Sequence, residues 1–298
     1  MTSAMDTFDH LNLIMTIKIP FWLGVCHNAI IMFAIENRII FGLFIAFVMA
    51  VLTSLSGLLA YRMPRIYGID FTGKIEKVEG LSLFGKSHCE SCHHQLSLWD
   101  VFPILGLVSS KFKCRYCGEK VPLKYPIIEA LVAFVSFLIW MKFDYSMTTL
   151  SLLIIMFFTV VISWVDYESL WIPDSLSFPF ISAGLLFSPF CPNPENRIIG
   201  AVVGGACLWL LMKIVSIKNR VDLVSFGDVL LFAGGMAWLG VGNITTFMLA
   251  ASITGGVLSI LMIAFGKKHW EIEGEKGFPF GPGIMIGLFL TCSFLSLG

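Results

Sequence analysis

Three acidic residues follow one apolar run of the chain, and a fourth begins another. Asp166, Glu168 and Asp174 lie close together, with no lysine or arginine beside them in the sequence. Asp228 comes further along and opens the second run. An ionisable side chain at membrane depth is energetically costly, so its presence there indicates a function.

Each acid also has a purely structural explanation. Asp228 could cap the helix that follows it. Asp174 comes directly after a proline and is typical of a first-turn acid, which the helix dipole favours. Glu168 lies in a turn, where solvation accounts for it. Asp166 is different because it ends an apolar segment, where the helix dipole disfavours a carboxylate. Its placement therefore indicates a compensating role.

Asp166 and Asp228 could meet across a helix bundle and act as a pair. Two carboxylates in a low-dielectric site cannot both ionise, so they share one proton. One then serves as base toward a water and the other as acid toward a substrate carbonyl or leaving amine. This is aspartyl-protease chemistry, and neither Gly-x-Ser-x-Gly nor His-Glu-x-x-His occurs in the chain. An ion-coupled carrier that uses the same pair is the alternative, although no convincing inverted repeat supports it.

Four cysteines form two CxxC pairs separated by 21 residues: Cys89, Cys92, Cys114 and Cys117. Paired CxxC turns suit tetrahedral coordination of Zn²⁺ by four thiolates, which already complete the shell without the histidines nearby. A redox role is the alternative, and the presence of two copies without a thioredoxin-like pattern weighs against it. A zinc-knuckle adaptor on a membrane anchor would explain these cysteines but leaves the aspartate pair without a purpose.

The composition predicts a membrane protein. Hydrophobic residues make up 57% of the 298 residues, charged residues only 13%, and the mean hydropathy is +0.85. We expect an all-α integral membrane protein of about eight transmembrane helices, with a small cytoplasmic zinc-knuckle domain between the first two. The predicted spans are 39–61, 125–141, 147–165, 173–190, 197–217, 227–242, 243–266 and 281–297. The predicted domains are an N-terminal interfacial or extra membrane segment (1–38), the first span (39–61), the tetracysteine domain (62–124) and the polytopic domain (125–298).

The distribution of basic residues predicts the orientation in the bilayer. With eight spans, segments 62–124, 166–172, 218–226 and 267–280 share one side. Sixteen of the 20 lysines and arginines lie in or beside these segments, and four lie on the opposite side. Cytoplasmic loops carry such an excess, so this side is predicted to be the cytoplasm. Asp166 and Asp228 both fall on it.

These motifs resemble the type IV prepilin peptidase family, the leader peptidase/N-methyltransferases of bacterial inner membranes, over roughly residues 40–295. The most specific matches are Ser87-x-Cys89-x-x-Cys92, Leu98-Trp99-Asp100-x-x-Pro103, Cys114-Arg115-x-Cys117 and Tyr125-Pro126-x-x-Glu129. Further matches are Tyr61-Arg62-Met63-Pro64, Asp166 with Ile172-Pro173-Asp174, and Phe226-Gly227-Asp228 as the end of a GxGD motif. Three positions depart from the family pattern, where Ser225 replaces a Gly, Leu230 a Lys and Gly57 an Asn.

The resemblance implies specific functions. Asp166 and Asp228 would be the catalytic aspartates of an endopeptidase that removes the basic leader of prepilins or pseudopilins at the cytoplasmic face of the inner membrane. Methyl transfer from S-adenosylmethionine to the new N-terminus is a further implied step. The partners would be these substrates and the lipid bilayer, with no nucleic acid. Ser225 is small enough to preserve close helix packing, so we expect the peptidase activity to survive this change.

Overall fold

The structure, a computed structural model, describes residues 36–69, 76–83, 85–89, 91–92, 94–97, 112–219, 225–264, 270–272 and 275–297. Two predictions fall outside these ranges. They are the interfacial or membrane segment expected in 11–35 and the motif that contains Trp99, Asp100 and Pro103.

Eight α-helices form in the described parts of the chain. They are α1 (Arg38–Tyr67), α2 (Lys124–Phe143), α3 (Met147–Ser169), α4 (Asp174–Phe187), α5 (Pro194–Asn219), α6 (Phe226–Leu239), α7 (Ile244–Ala264) and α8 (Gly281–Leu295). A 3₁₀ turn, Val241–Asn243, precedes α7. Strands β1 (Trp270–Ile272) and β2 (Glu275–Gly277) pair antiparallel between α7 and α8. The predicted helical architecture is confirmed, with this short hairpin as an addition.

The eight helices differ in length, and three of them are short. Five regions are long and apolar enough to cross a membrane: α1, α2, α3, α5 and α7 with its preceding 3₁₀ turn. Helices α4, α6 and α8 contain 14, 14 and 15 residues. They extend only about 21–23 Å, whereas the hydrocarbon core is about 30 Å thick. The chain is therefore a multi-pass membrane protein in which three predicted spans are shorter than a full crossing.

Local sequence signals set the ends of α1 and α3. Ser146 caps α3 by accepting the Thr149 N–H at 3.1 Å, and Leu170 ends the helix in the left-handed conformation, at φ 53°. Helix α1 passes Pro64 and continues to Tyr67, beyond the expected end at 61. It ends at Gly68, whose φ of +66° is a conformation that glycine adopts without steric cost.

Two groups of helices pack against the central pair α3 and α8. On one side α1 packs against α2 and α3, and on the other α6 packs against α4, α5 and α8, while α7 packs against α8. Phe180, Phe232, Trp238 and Phe247 are fully buried among these helices. Large apolar side chains on the outer faces are exposed, for example Ile217 at 70%. This distribution suits a bundle surrounded by lipid tails.

Glycines permit the close approach of α7 and α8. A Cβ added to Gly283 would lie 2.6 Å from the Cα of Gly255, and one added to Gly287 would lie 2.7 Å from the backbone nitrogen of Ala251. The hydroxyl of Thr254 also donates to the Gly283 carbonyl at 2.6 Å. Small residues at helix interfaces are typical of membrane proteins. They fix the position of α8, whose first residue contacts Asp166.

Candidate active site

Asp166 lies in the last turn of α3 and is buried, with 4% of its surface exposed. Its Oδ2 accepts a hydrogen bond of 2.9 Å from the backbone N–H of Gly281, the first residue of α8. The N-terminus of α8 thus faces a carboxylate at the C-terminus of α3. A helix N-terminus carries partial positive charge and unpaired N–H groups, so it offsets the unfavourable dipole of α3. This contact compensates for the unfavourable position of Asp166 at the C-terminal end of a helix, which the sequence indicated without identifying the partner.

Asp228 is the third residue of α6 and is also buried, with 8% of its surface exposed. The cap of α6 is Ser225, whose Oγ accepts the backbone N–H of Asp228 at 3.3 Å. The interpretation of Asp228 as a helix cap is therefore wrong, because Ser225 fills that position. The Ser225 hydroxyl also interacts with the Asp228 carboxylate. Ser225, which departs from the family pattern, thus contacts both the backbone N–H and the side-chain carboxylate of Asp228.

The structure brings the two aspartates together at one end of the bundle. Their carboxylates interact electrostatically. The buried side chain of Ile172 connects their surroundings, since a Cβ on Gly227 would lie 2.9 Å from the Ile172 Cβ, and one on Gly281 would lie 3.2 Å from its Cδ1. In the described part of the chain, neither carboxylate forms a salt bridge. Two carboxyl groups that interact electrostatically are therefore buried at one end of the bundle, with no basic partner among the described residues.

The sequence analysis did not predict the role of Gly281. A Cβ at this position would lie 2.7 Å from the Asp166 Oδ2, so no larger residue fits without displacing the carboxylate. The residue acts through its backbone N–H, which side-chain patterns do not reveal. A signal was present in the run Phe278–Gly283, where glycines alternate with prolines just before an apolar helix. Such a run indicates a close backbone approach at a helix start.

The other two acids lie outside this pair. Asp174 is exposed at the first position of α4, so the predicted role as a first-turn acid is confirmed. Glu168 forms a salt bridge of 2.7 Å with the Nζ of Lys124. The prediction that Glu168 is merely solvated, with no basic residue nearby, is wrong. The first residue of α2 packs beside the last turn of α3, and their separation in sequence concealed this contact.

The four predicted metal ligands also converge. The Sγ atoms of Cys89, Cys92, Cys114 and Cys117 lie within 4.8 Å of one another. The Cys89 and Cys117 sulfurs are 3.8 Å apart. A tetrahedron of Zn–S bonds of about 2.3 Å separates its sulfurs by about 3.8 Å. The cluster therefore has the size that a metal ion such as Zn²⁺ requires.

Turns in the backbone position Cys89 and Cys114, and they favour the thiolate of Cys114. The Cys89 N–H donates to the His94 carbonyl at 3.0 Å, and the Cys114 N–H donates to the Glu119 carbonyl at 2.8 Å. Backbone N–H groups of Cys117 and Tyr116 lower the pKa of the Cys114 thiol to about 7. A lowered pKa favours the thiolate, which is the form that binds metal.

Arg62 attaches the start of the tetracysteine segment to the end of α1. Its side chain is 2% exposed, and its guanidinium donates to four backbone carbonyls at 2.8–3.1 Å. The acceptors are Ser82, Leu83, Gly85 and Lys86. Because a buried guanidinium is costly without partners, this contact fixes the position of the segment relative to the bundle.

Fold and site together define a multi-pass membrane protein with a buried aspartate pair and a tetracysteine cluster. Two family profiles match the chain, the Bacterial Peptidase A24 N-terminal domain over residues 47–143 and the Type IV leader peptidase family over residues 153–260. Together they cover more than half of the sequence. The chain therefore belongs to the type IV leader peptidase family and is a peptidase. Nothing in these comparisons supports an ion-coupled carrier.

The names of curated relatives agree with this assignment. A prepilin leader peptidase/N-methyltransferase of Neisseria gonorrhoeae is 29% identical over 203 residues, which is 67% of this chain and 68% of that protein. One of Aeromonas salmonicida is 28% identical over 204 residues, again 67% and 68% of the two chains. A type 4 prepilin-like proteins leader peptide-processing enzyme of Escherichia coli is 27% identical over 227 residues, 74% of this chain and 81% of that protein. No solved structure matches the chain with comparable significance.

Proposed function

We propose that this protein is an aspartyl endopeptidase that removes the basic leader of prepilins or pseudopilins, with Asp166 and Asp228 as its catalytic pair. The observation that carries the proposal is the electrostatic interaction between the two carboxyl groups, both of which are buried at one end of the bundle. Two adjacent carboxylates in such a site share a proton and divide the acid and base roles between them.

The hydrogen bond from Gly281 suggests which aspartate takes which role. A backbone N–H can only donate, so the Asp166 Oδ2 must accept. We assign Asp166 as the base that takes a proton from the attacking water. Asp228 then carries the shared proton and donates it toward the scissile carbonyl, and later a proton passes to the leaving amine. The α8 N-terminus stabilises the negative charge that Asp166 carries until it accepts this proton.

The arrangement of helices suits a substrate that lies partly in the bilayer. The short helices α4 and α6 begin at the same end as the aspartates, and α8 begins in contact with Asp166. The excess of basic residues at this end predicts that it faces the cytoplasm. Because the relatives are bacterial, we assign the protein to the bacterial inner membrane. A prepilin with an apolar helix in lipid and a basic leader in the cytoplasm would place its scissile bond near the aspartates.

The remaining functional assignments follow the relatives and the cysteine cluster. We propose that the four cysteines hold one structural Zn²⁺ in a cytoplasmic domain of residues 62–124, between the first span (39–61) and the peptidase domain (125–298), with 1–38 as an additional segment. The relatives are named N-methyltransferases. We therefore include methylation of the new N-terminus, with S-adenosylmethionine as donor. Mass spectrometry of the mature pilin tests this step, and an unmethylated N-terminus after normal cleavage would contradict it.

A gel-shift assay on a prepilin tests the catalytic pair. We expect the wild type to shorten the substrate and the Asp166→Ala and Asp228→Ala variants to leave it intact. Asp174→Ala is the matched control, since Asp174 is an exposed carboxylate at the start of α4. It should cleave at close to the wild-type rate. Cleavage by either of the first two variants, or its loss only in the third, would contradict the assignment.

A further inference from the structure

The second CxxC pair lies in a short hairpin, residues 112–121, just before α2. The Cys114 N–H donates to the Glu119 carbonyl at 2.8 Å, and the Val121 N–H donates to the Phe112 carbonyl at 2.9 Å. These two hydrogen bonds enclose one pair of opposed residues, which exchange no hydrogen bond with each other. In an antiparallel ladder, the Cα atoms of such a pair are about 4.5 Å apart, which is the closer of the two possible spacings.

The opposed residues at this close position are both lysines. Lys113 and Lys120 form the antiparallel bridge, and both are exposed. Like charges directly opposite each other destabilise strand pairing. Among the described residues, neither lysine forms a salt bridge. Because successive side chains of a strand point to opposite faces, both lysines point away from the face of Cys114 and its thiolate. An anion from outside the described chain would relieve their repulsion.

The connection to α2 limits how far the lysine pair can lie from the bilayer. Helix α2 begins at Lys124 and is a candidate span of 20 residues, about 30 Å long, which matches the hydrocarbon core. Lys120 and Lys124 are four positions apart, so Lys120 lies within about 14 Å of the start of this helix. The charge of a membrane surface acts over about 8–10 Å at ordinary ionic strength. The long, flexible lysine side chains can therefore reach it.

Apolar side chains beside the lysines suit the same surface. Phe112 directly precedes Lys113, and its side chain is 37% exposed. Its backbone is left-handed, with a φ of 57°, so the hairpin holds this residue in a strained conformation. Leu123 directly precedes the first residue of α2 and is 59% exposed. Segments that lie on a membrane surface combine lysine with phenylalanine or leucine in this way.

We propose that Phe112, Lys113, Lys120 and Leu123 form a docking patch for the anionic phospholipids of the bilayer that α2 enters. Lipid phosphates neutralise the lysine pair, while the phenylalanine ring and the leucine enter the headgroup region. The patch thereby holds the tetracysteine segment against the membrane surface. The inference rests on the proposed cytoplasmic orientation, because the cytoplasmic leaflet carries the negative surface potential.

Hydrogen–deuterium exchange of the full-length protein in lipid nanodiscs tests this patch. The peptide that contains the N–H groups of Cys114 and Val121 reports on it, since both groups donate within the hairpin. We compare phosphatidylcholine alone with equal parts of phosphatidylcholine and phosphatidylglycerol. Because each lysine near an anionic surface contributes a factor of about 5 in affinity, exchange should be about 5- to 25-fold slower in the anionic nanodiscs. High salt should abolish the difference.

Three variants separate contact with lipid from the fold of the hairpin. The double variant Lys113→Gln/Lys120→Gln should exchange at the same rate in both lipids. Lys113→Glu places opposite charges across the bridge, so its hairpin should exchange more slowly than the wild type in phosphatidylcholine and gain nothing from phosphatidylglycerol. Lys86→Gln changes an exposed lysine earlier in the tetracysteine segment. It is the matched control and should keep the wild-type dependence on lipid.

Three results would overturn the proposal. The first is equal exchange of the wild-type hairpin in both lipids. The second is a lipid dependence that survives in Lys113→Gln/Lys120→Gln or is lost in Lys86→Gln. The third is slower exchange on addition of polyglutamate to phosphatidylcholine nanodiscs, without any effect of phosphatidylglycerol, which would assign the patch to an acidic protein instead.

Discussion

Substituting Gly281 by alanine should weaken catalysis without unfolding the protein. The new Cβ would lie 2.7 Å from the Asp166 Oδ2, so the carboxylate or the start of α8 must move. Either movement lengthens the hydrogen bond from the Gly281 N–H, which is now 2.9 Å. A hydrogen bond to a charged group contributes about 1.5–3 kcal/mol. Because 1.36 kcal/mol is a factor of ten in rate, we expect kcat/KM to fall about 10- to 150-fold.

Cleavage of a purified prepilin, followed by mass spectrometry of the mature product, measures this effect. Two glycine-to-alanine variants serve as controls. Gly256→Ala places its Cβ in open space on α7 and should keep both the rate and the melting temperature. Gly283→Ala places its Cβ 2.6 Å from the Cα of Gly255 and stresses the packing of α7 against α8, away from the carboxylate. It should lower the melting temperature more than Gly281→Ala does.

Two results would refute this reasoning. If folded Gly281→Ala cleaved prepilin at the wild-type rate, the contact with Asp166 would have no catalytic importance. If Gly283→Ala lost as much activity as Gly281→Ala at the same melting temperature, displacement of α8 as a whole would explain both effects. The specific contact between Gly281 and Asp166 would then be unnecessary.

Three further predictions concern the supports of the site. Arg62→Ala should expose the segment after α1 to limited proteolysis, because four backbone carbonyls lose their hydrogen-bond donor. The helix bundle should keep its melting temperature, and an unchanged digestion pattern would contradict this prediction. Metal analysis should find one zinc ion per chain, and Cys89→Ser should remove this ion and make the same segment more sensitive to proteolysis. Absence of zinc from the wild-type protein would contradict the proposed metal site. Ser225→Ala should lower the free energy of unfolding by about 0.5–2 kcal/mol and Ser225→Gly by only a few tenths of a kcal/mol, as measured by unfolding in detergent. Equal losses of stability in the two variants would exclude a capping role for Ser225.

Much of the fold was predictable because its determinants are local. Apolar runs long enough for a bilayer predicted the eight helices, and CxxC spacing predicted the cysteine cluster. The bias of basic residues predicted that Asp166 and Asp228 share one side, and the structure places them at one end of the bundle. The ends of the helices were less accessible. Helices α4, α6 and α8 begin within one residue of the predicted starts but end two or three residues before the predicted ends.

The contacts that organise the site depend on packing and were therefore not predictable. Gly281 acts through its backbone N–H, so no side chain indicates its role. The pair of Lys124 and Glu168 joins helices that are separate in sequence. Helix α1 extends past Pro64 where a stop was expected, and the buried Arg62 in this extension finds its acceptors in a loop about twenty residues away. In each case a partner distant in sequence determines the local structure.

The central claim is that Asp166 and Asp228 exchange a proton during peptide hydrolysis. Single-turnover cleavage of prepilin by Asp166→Asn and Asp228→Asn tests it most directly, since asparagine keeps the shape of aspartate but cannot serve as the acid or base. General acid–base catalysis contributes about 100- to 10,000-fold, so each variant should lose activity by at least that range while remaining folded and membrane-inserted. Cleavage at close to the wild-type rate by either variant would contradict the aspartyl mechanism.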